Sequence, residues 1–290
     1  MVDILGCTFV ALTYMFLALG EGIVVFQLIP LWFTKNNEYT WAGIFWMIIY
    51  NICMILAIIS HLKALLGDPG YTPNLQIPDS IPLERLRYCD RCSQWKPERT
   101  HHCSTCQRCI QKMDHHCPWI NNCVGAKNQK SFVLFLVYVF LVCLLTLIIM
   151  SSITYWYFTR SSKRVVSGSL FLFIASVMTS IFALTFMLFT AIMFWEQLWA
   201  IIHNQTEVEE MNRRIAPQKP IFENLKNSMG ISVIMWWNPF AEPPEPDYME
   251  PLEVQPKTES STWVYWVGYA VCGCVILAAT FIIVKVIWIK

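Results

Sequence analysis

In a chain of 290 residues, 56% are hydrophobic and only 14% charged, which excludes an ordinary soluble domain, where about 25% charge is usual. A net charge of +1, with no basic-aromatic pattern, excludes the electrostatic footprint of a nucleic-acid binder. The composition is that of a membrane protein.

Taken in order, residues 1 to 7 lack the positive n-region of a secretory signal, and Val2 excludes a myristoylation motif. The first apolar segment runs from about Thr8 to Phe33 and contains Glu21. An acid at bilayer depth is costly and is expected to face another helix, with Asn51 on the next segment as its partner. The second segment runs from about Trp41 to Leu66, the third from about Ser131 to Phe158, and the fourth from about Gly168 to Ile202. Each exceeds the roughly 20 residues that a bilayer requires. A fifth, from about Trp263 to Ile289, follows a Pro- and Glu-rich linker, Pro239 to Ser261. The expected division is 1–66 for spans one and two and 67–130 for a cysteine-rich domain. Spans three and four then take 131–203, a further segment 204–261, and the extra span 262–290. The fold class is an all-α polytopic membrane protein. It has a four-helix core, a fifth span, and a small zinc-stabilised domain between spans two and three.

Nine Lys and Arg fall in 67–130 and five in 203–261, against one in the 34–40 loop. The positive-inside rule therefore turns the cysteine-rich domain to the cytosol, with the amino terminus and 203–261 on the same side. Lys290 then lies on the other side. A reducing cytosol keeps thiols available for metal instead of disulfides. Cys7, Cys53, Cys272 and Cys274 read as small apolar residues.

Residues 89 to 123 hold seven of the twelve cysteines and four of the six histidines. They are Cys89, Cys92, His101, His102, Cys103, Cys106, Cys109, His115, His116, Cys117 and Cys123. Cysteines two residues apart present two thiolates to one tetrahedral ion from a single turn. Two closed zinc sites take eight donors, so three of the eleven are left over. Cys89 with Cys92 can start one site and Cys103 with Cys106 the other. Neighbouring side chains diverge, so one of each adjacent histidine pair is expected to be free. If Cys117 is also free, a thiol stands beside an imidazole, with Asp114 next in the chain. Those are the parts of an activated nucleophile. Spacing alone leaves the ligand sets open.

Asp114-His115-His116-Cys117, inside that cysteine-rich frame, resembles the signature of the DHHC protein S-acyltransferases, or palmitoyltransferases. The match continues through Cys117-Pro118-Trp119, Asn121-Asn122-Cys123-Val124-Gly125 and Asn128. Asp68-Pro69-Gly70 is similar to the family's DPG motif. Thr206-Glu207-Val208-Glu209 is similar to its TTxE motif, with Glu at the second position. Residues from Asn224 to Gly230 resemble its carboxy-terminal motif, with Met229 where an aromatic is usual. The resemblance covers roughly residues 8 to 240, and the run Gln129 to Phe135 resembles the compact Golgi-type members.

The resemblance implies one structural zinc on Cys89, Cys92, His102 and Cys109, and a second on Cys103, Cys106, His116 and Cys123. It implies Cys117 as nucleophile, His115 as its base and Asp114 as the orienting carboxylate. The implied activity is two-step acyl transfer from palmitoyl-CoA to cytosolic-face cysteines of membrane proteins through an acyl-Cys117 intermediate. Trp119, Phe132 and Phe135 would line the mouth of an acyl cavity, with Val142 and Cys143 near its chain-length end. Arg99, Arg108 and Lys112 are candidates to meet the acyl-CoA head group. Glu209 with Thr206 would tie the segment after span four to the cysteine-rich domain, and Asn224 would anchor a carboxy-terminal element. The implied location is a Golgi or endoplasmic reticulum membrane. A membrane-anchored, RING-like zinc adaptor would show the same metal ligands, but it has no use for the leftover Asp114, His115 and Cys117. A member that acts only with a partner subunit is a further alternative. A transporter is disfavoured, because the spans offer few paired ionisable groups.

Overall fold

The computed structural model describes residues 4–25, 34–35, 38–72, 87–159, 170–244 and 253–254. Among the described residues, four helices are long and apolar enough to cross a membrane: α1 (Ile4–Ile23), α2 (Trp41–Leu66), α3 (Gln129–Thr159) and α4 (Leu170–Ile202). The described chain is mostly helical, with the cysteine-rich region between its second and third spans. α2 has the bounds predicted for it, and α3 and α4 begin within two residues of theirs. Residues 26–33 of the first predicted segment, and the whole fifth span, lie outside the described residues.

The chain divides into two compact units. In the unit formed by 14–57, 136–195 and 261–290, Phe16 packs against Phe182 and Phe186, with ring centroids 5.1 and 5.3 Å apart. There the Tyr50 hydroxyl lies 3.4 Å from Thr146 Oγ1. The expected Glu21–Asn51 pair is not made: Asn51 Nδ2 donates to the Met47 carbonyl of its own helix at 2.8 Å. A carbonyl one turn back, whose second lone pair can still accept, is nearer to a short amide side chain than an acid on another helix is. Glu21 Oε2 has no hydrogen-bond partner among the described residues.

The other unit, 1–13, 58–135 and 196–260, carries the cysteine-rich region. Its strands are very short and form three antiparallel hairpins. They pair β3 (Arg87–Cys89) with β4 (Gln94–Lys96), β5 (Thr100–Cys103) with β6 (Arg108–Gln111), and β7 (His115–Cys117) with β8 (Asn122–Val124). (β1, Thr34–Lys35, and β2, Glu38–Tyr39, form a separate two-residue pair.) Each hairpin turns through a residue of positive φ: Ser93 at 52°, Gln107 at 55° and Asn121 at 44°. Asn121 ends a 3-10 turn, Pro118–Ile120, that follows β7 directly.

Two asparagines tie this region to the end of α2. The last carbonyls of a helix have no intrahelical partner. Asn122 Nδ2 takes up those of Ala64 and Leu65, and the Gly67 carbonyl just past the helix, at 3.1, 3.3 and 2.9 Å. Asn128 Nδ2 bridges the carbonyls of Ala64 and Cys123 at 3.2 and 2.8 Å. In the turn that follows α2, Asp68 Oδ1 accepts from the amides of Gly70 and Tyr71, and Gly70 takes φ +104°. A Cβ on Gly125 would meet the Pro69 carbonyl at 2.4 Å, so only glycine permits this turn to dock on the strand end.

A buried ion pair fastens the segment after α4. Thr206 caps the short helix α5 (Glu207–Met211) in a capping box with Glu209. The Glu209 carboxylate, 0% exposed, accepts Arg99 Nε and Nη2 at 2.7 and 2.8 Å. The remaining guanidinium donors reach the Asn204 side chain and carbonyl at 3.0 and 2.7 Å. After β9 (Arg214–Ile215) comes α6 (Ile221–Met229), anchored where Asn224 Nδ2 donates to the Ile202 carbonyl at 2.9 Å. The short helix α7 (Val233–Trp236) follows, and β9 pairs with β10 (Glu253–Val254).

Removing one partner of a buried, fully bonded ion pair leaves the other charge uncompensated. Glu209→Gln is therefore expected to destabilise the protein by about 3 to 5 kcal/mol. Thermal melting in detergent checks this, and an unchanged Tm would contradict it.

Candidate active site and metal centres

Side chains alternate between faces along a strand, and that rule distributes the donors. On β5, His102 and Cys103 are adjacent and point to opposite faces. On β7, His116 points opposite to His115 and Cys117. Cross-strand register then pairs His102 with Cys109 and His116 with Cys123. Each such pair meets the C-x2-C turn that precedes its hairpin.

The result is two groups of four donors: Cys89, Cys92, His102 and Cys109, then Cys103, Cys106, His116 and Cys123. In the first, His102 Nδ1 lies 3.2 Å from Cys92 Sγ and 3.7 Å from Cys89 Sγ, and Cys109 Sγ lies 3.7 Å from Cys92 Sγ. In the second, His116 Nδ1 lies 3.8, 3.4 and 3.7 Å from the sulfurs of Cys103, Cys106 and Cys123. Zinc–sulfur and zinc–nitrogen bonds at the tetrahedral angle give edges of about 3.8 Å for sulfur to sulfur and about 3.6 Å for sulfur to nitrogen. Both groups therefore fit a closed, four-coordinate zinc ion. Cys117, His115 and His101 belong to neither.

Asp114, 3% exposed, lies between strands and is held by three donors. Oδ2 accepts from His115 Nδ1 at 2.9 Å and from Gln197 Nε2 at 2.6 Å, and Oδ1 accepts from the Glu207 amide at 2.8 Å. Burial raises the carboxyl pKa, but His115 and these donors outweigh it and hold it below the usual range. Burial likewise lowers the His115 pKa, but the Asp114 carboxylate and the Cys117 thiol outweigh it and push it up to about 10. The imidazole thus carries a proton at neutral pH, between a carboxylate and a thiol. The Phe132 ring stands edge-on to His115, 5.5 Å between centroids. The Glu207 carboxylate also approaches Asp114 and His115.

Trp119 packs edge-on against Phe9 at 4.8 Å, and its carbonyl contacts His61 Nε2 at 3.0 Å. His61 in turn meets the Phe135 ring at 4.8 Å. Trp119, Phe132 and Phe135 therefore share the neighbourhood of the His115–Cys117 strand. Val142 lies one heptad beyond Phe135 on α3 and is buried. Three participants escaped the sequence reading: His61, Gln129 and Gln197. A signal existed, because each is a polar residue on an otherwise apolar helix, and such residues face the protein interior.

The basic residues are arranged differently from expectation. Arg99 turns inward to Glu209, because its fork matches a buried carboxylate. Arg108 lies over the Tyr71 ring, 5.2 Å from its centroid. Lys112 takes a left-handed turn, φ 45°, and its amide donates to the Arg99 carbonyl. Positive charge instead gathers around His101. Arg87 and Lys96 stand directly opposite each other on β3 and β4. Burial, then Arg87, Lys96, Arg214 and Arg99, hold the His101 pKa down at about 3. Its Nε2 is buried without a hydrogen-bond partner among the described residues.

Comparison with known proteins agrees with this arrangement. Residues 83–214 match the family model described as DHHC palmitoyltransferase. Palmitoyltransferase ZDHHC3 of Rattus norvegicus is 35% identical over 250 residues, covering 82% of this chain and 82% of that protein. Palmitoyltransferase ZDHHC7 of Rattus norvegicus is 34% identical over 256 residues, covering 81% and 79%. Palmitoyltransferase ZDHHC3 of Homo sapiens is 34% identical over 250 residues. A thiol outside two complete four-donor sets and this similarity over most of its length lead to one assignment: the chain belongs to the DHHC palmitoyltransferase family.

Proposed function

We propose that this protein S-palmitoyltransferase works through an acyl-Cys117 intermediate, with His115 as base and Asp114 as its orienting group. One observation carries the reading. Eight cysteine and histidine donors are consumed by two complete metal sets, while Cys117 stays outside both and shares a strand face with a histidine bound to a buried carboxylate. In the first step the Cys117 thiolate attacks the thioester carbonyl of palmitoyl-CoA. A new carbon–sulfur bond forms, the bond to CoA breaks, and the CoA thiolate takes the His115 proton. In the second, His115 removes the proton of an acceptor cysteine, whose thiolate takes the acyl group and releases Cys117. One thioester replaces another, so the exchange needs no energy source. The two foursomes would hold zinc as closed structural sites that keep β5 and β7 in register.

The same reading gives the acyl chain a mouth at Trp119, Phe132 and Phe135, with Val142 further along. It gives the polyanionic head group Arg87, Lys96 and Arg214. Like charges opposed across a strand pair repel, and an anion relieves that. Acceptors are cytosolic-face cysteines of membrane proteins. The cysteine-rich domain, residues 67–130, faces the cytosol of a Golgi or endoplasmic reticulum membrane. Residues 131–203 hold spans three and four, and 204–261 returns to the cytosolic face. The fifth span, 262–290, continues across the bilayer.

Purified protein given palmitoyl-CoA should acquire a hydroxylamine-labile acyl group. Cys117→Ser should abolish the label with both zinc ions retained, whereas loss of zinc in that variant would make Cys117 a ligand. His115→Ala should slow labelling by about 100-fold or more. Cys106→Ser or a strong chelator should remove zinc and unfold the cysteine-rich region, read as exposed thiols and lost labelling. Arg87→Ala with Lys96→Ala should raise the half-saturating palmitoyl-CoA concentration by about ten-fold, more steeply at low salt, because phosphate contacts are screened.

A further inference from the structure

The histidine–carboxylate pair does not stand alone: it ends a chain of amides that begins on the spans. Gln197, 2% exposed and in the last turns of α4, donates Nε2 to Asp114 Oδ2 at 2.6 Å, the same oxygen that His115 Nδ1 uses. Because Asp114 Oδ2 accepts from the Gln197 amide nitrogen, the amide turns its oxygen to the far side. On that side Gln129 Nε2, from the first residue of α3, donates to Gln197 Oε1 at 3.3 Å. Gln129 is buried as well. Its donation fixes the amide against a flip, because the flipped amide would set two NH2 groups face to face and an oxygen against the carboxylate.

We propose that Gln197 is a positioning residue for acyl transfer, held in its productive orientation by Gln129 and acting on His115 through Asp114. Without Gln197, only the Glu207 amide would tie the carboxylate to the surrounding frame, and Asp114 with its bound His115 could rotate about the terminal torsion, which is soft for aspartate. The second donor locks Oδ2 on the His115 Nδ1 side and so fixes the ring whose strand face Cys117 shares. Two membrane-spanning helices thereby set the geometry of a histidine that neither of them carries.

The inference rests on the acyl-Cys117 reading, and the test separates the two. Full-length protein in detergent is given labelled palmitoyl-CoA, and the rate of acyl-enzyme formation is followed in single turnovers. Gln197→Met should slow acylation by about ten-fold or more, with zinc content and the half-saturating palmitoyl-CoA concentration unchanged. In an Asp114→Asn background, the same substitution should change the rate by less than about two-fold, because Gln197 has no carboxylate left to orient. Gln129→Met keeps Gln197 and its packing, so it serves if Gln197→Met does not fold. It should slow acylation by about three-fold and show the same dependence on Asp114. An equal loss with and without Asp114, or no loss in either glutamine variant, overturns the inference. A wild-type protein without label at Cys117 overturns the acyl-enzyme reading, and this inference with it.

Discussion

Strands of three and four residues cannot bury a core, so the cysteine-rich region depends on the two four-donor groups that tie each hairpin to its neighbour. The apolar contribution inside it is small: Ile110 and Met113, packed with cysteines of the second group, and the buried Ile120 and Val124. Metal binding to such a site is worth about 10 to 16 kcal/mol in small zinc-finger peptides, far more than so few side chains supply by burial. The dependence runs in one direction. His116 is locked by its group of four, and strand alternation then dictates where His115 and Cys117 must point. In the proposed mechanism the two sites take no part in acyl transfer but set its geometry.

That region still has to be held to the membrane helices, and polar groups in dry surroundings do this. Asn122 and Asn128 take up carbonyls at the end of α2, where helix geometry leaves them without partners. Arg99 and Glu209 bind the segment after α4 through a bidentate pair, and the guanidinium also donates to the Asn204 side chain and carbonyl. In such surroundings an unpaired polar group would be worse than an apolar one. These hydrogen bonds are what turn the polar groups into rigid fasteners. Cys117 stands directly opposite Asn122 on the paired strand, so the attachment to α2 also fixes the strand that carries this thiol.

Electrostatics inside the site follow from the same dryness. Three donors keep Asp114 ionised against the cost of burial, and the ionised carboxylate keeps a proton on His115. On β5, His101 meets the opposite surroundings, and burial together with positive neighbours leaves it neutral. Two histidines of one short region thus hold opposite protonation states, set by which charges each strand face presents.

Much of this was legible in the chain. Apolar runs of bilayer length announce the four helices, because length and hydropathy alone decide whether a segment can span. The spacing of cysteine and histidine limits the metal chemistry, because two-residue gaps fit one tetrahedral ion. The Asp114-His115-His116-Cys117 run carries the resemblance to the family. Other features depended on tertiary structure. The inward turn of Arg99, the carboxylate contact of Gln197 and the contact of His61 with the loop after Cys117 all join residues far apart in the chain. No periodicity encodes such pairings, since a buried polar group takes whichever partner the packing brings near. Local sequence therefore determined what each segment can be, and only the assembled fold decided which polar groups complete one another.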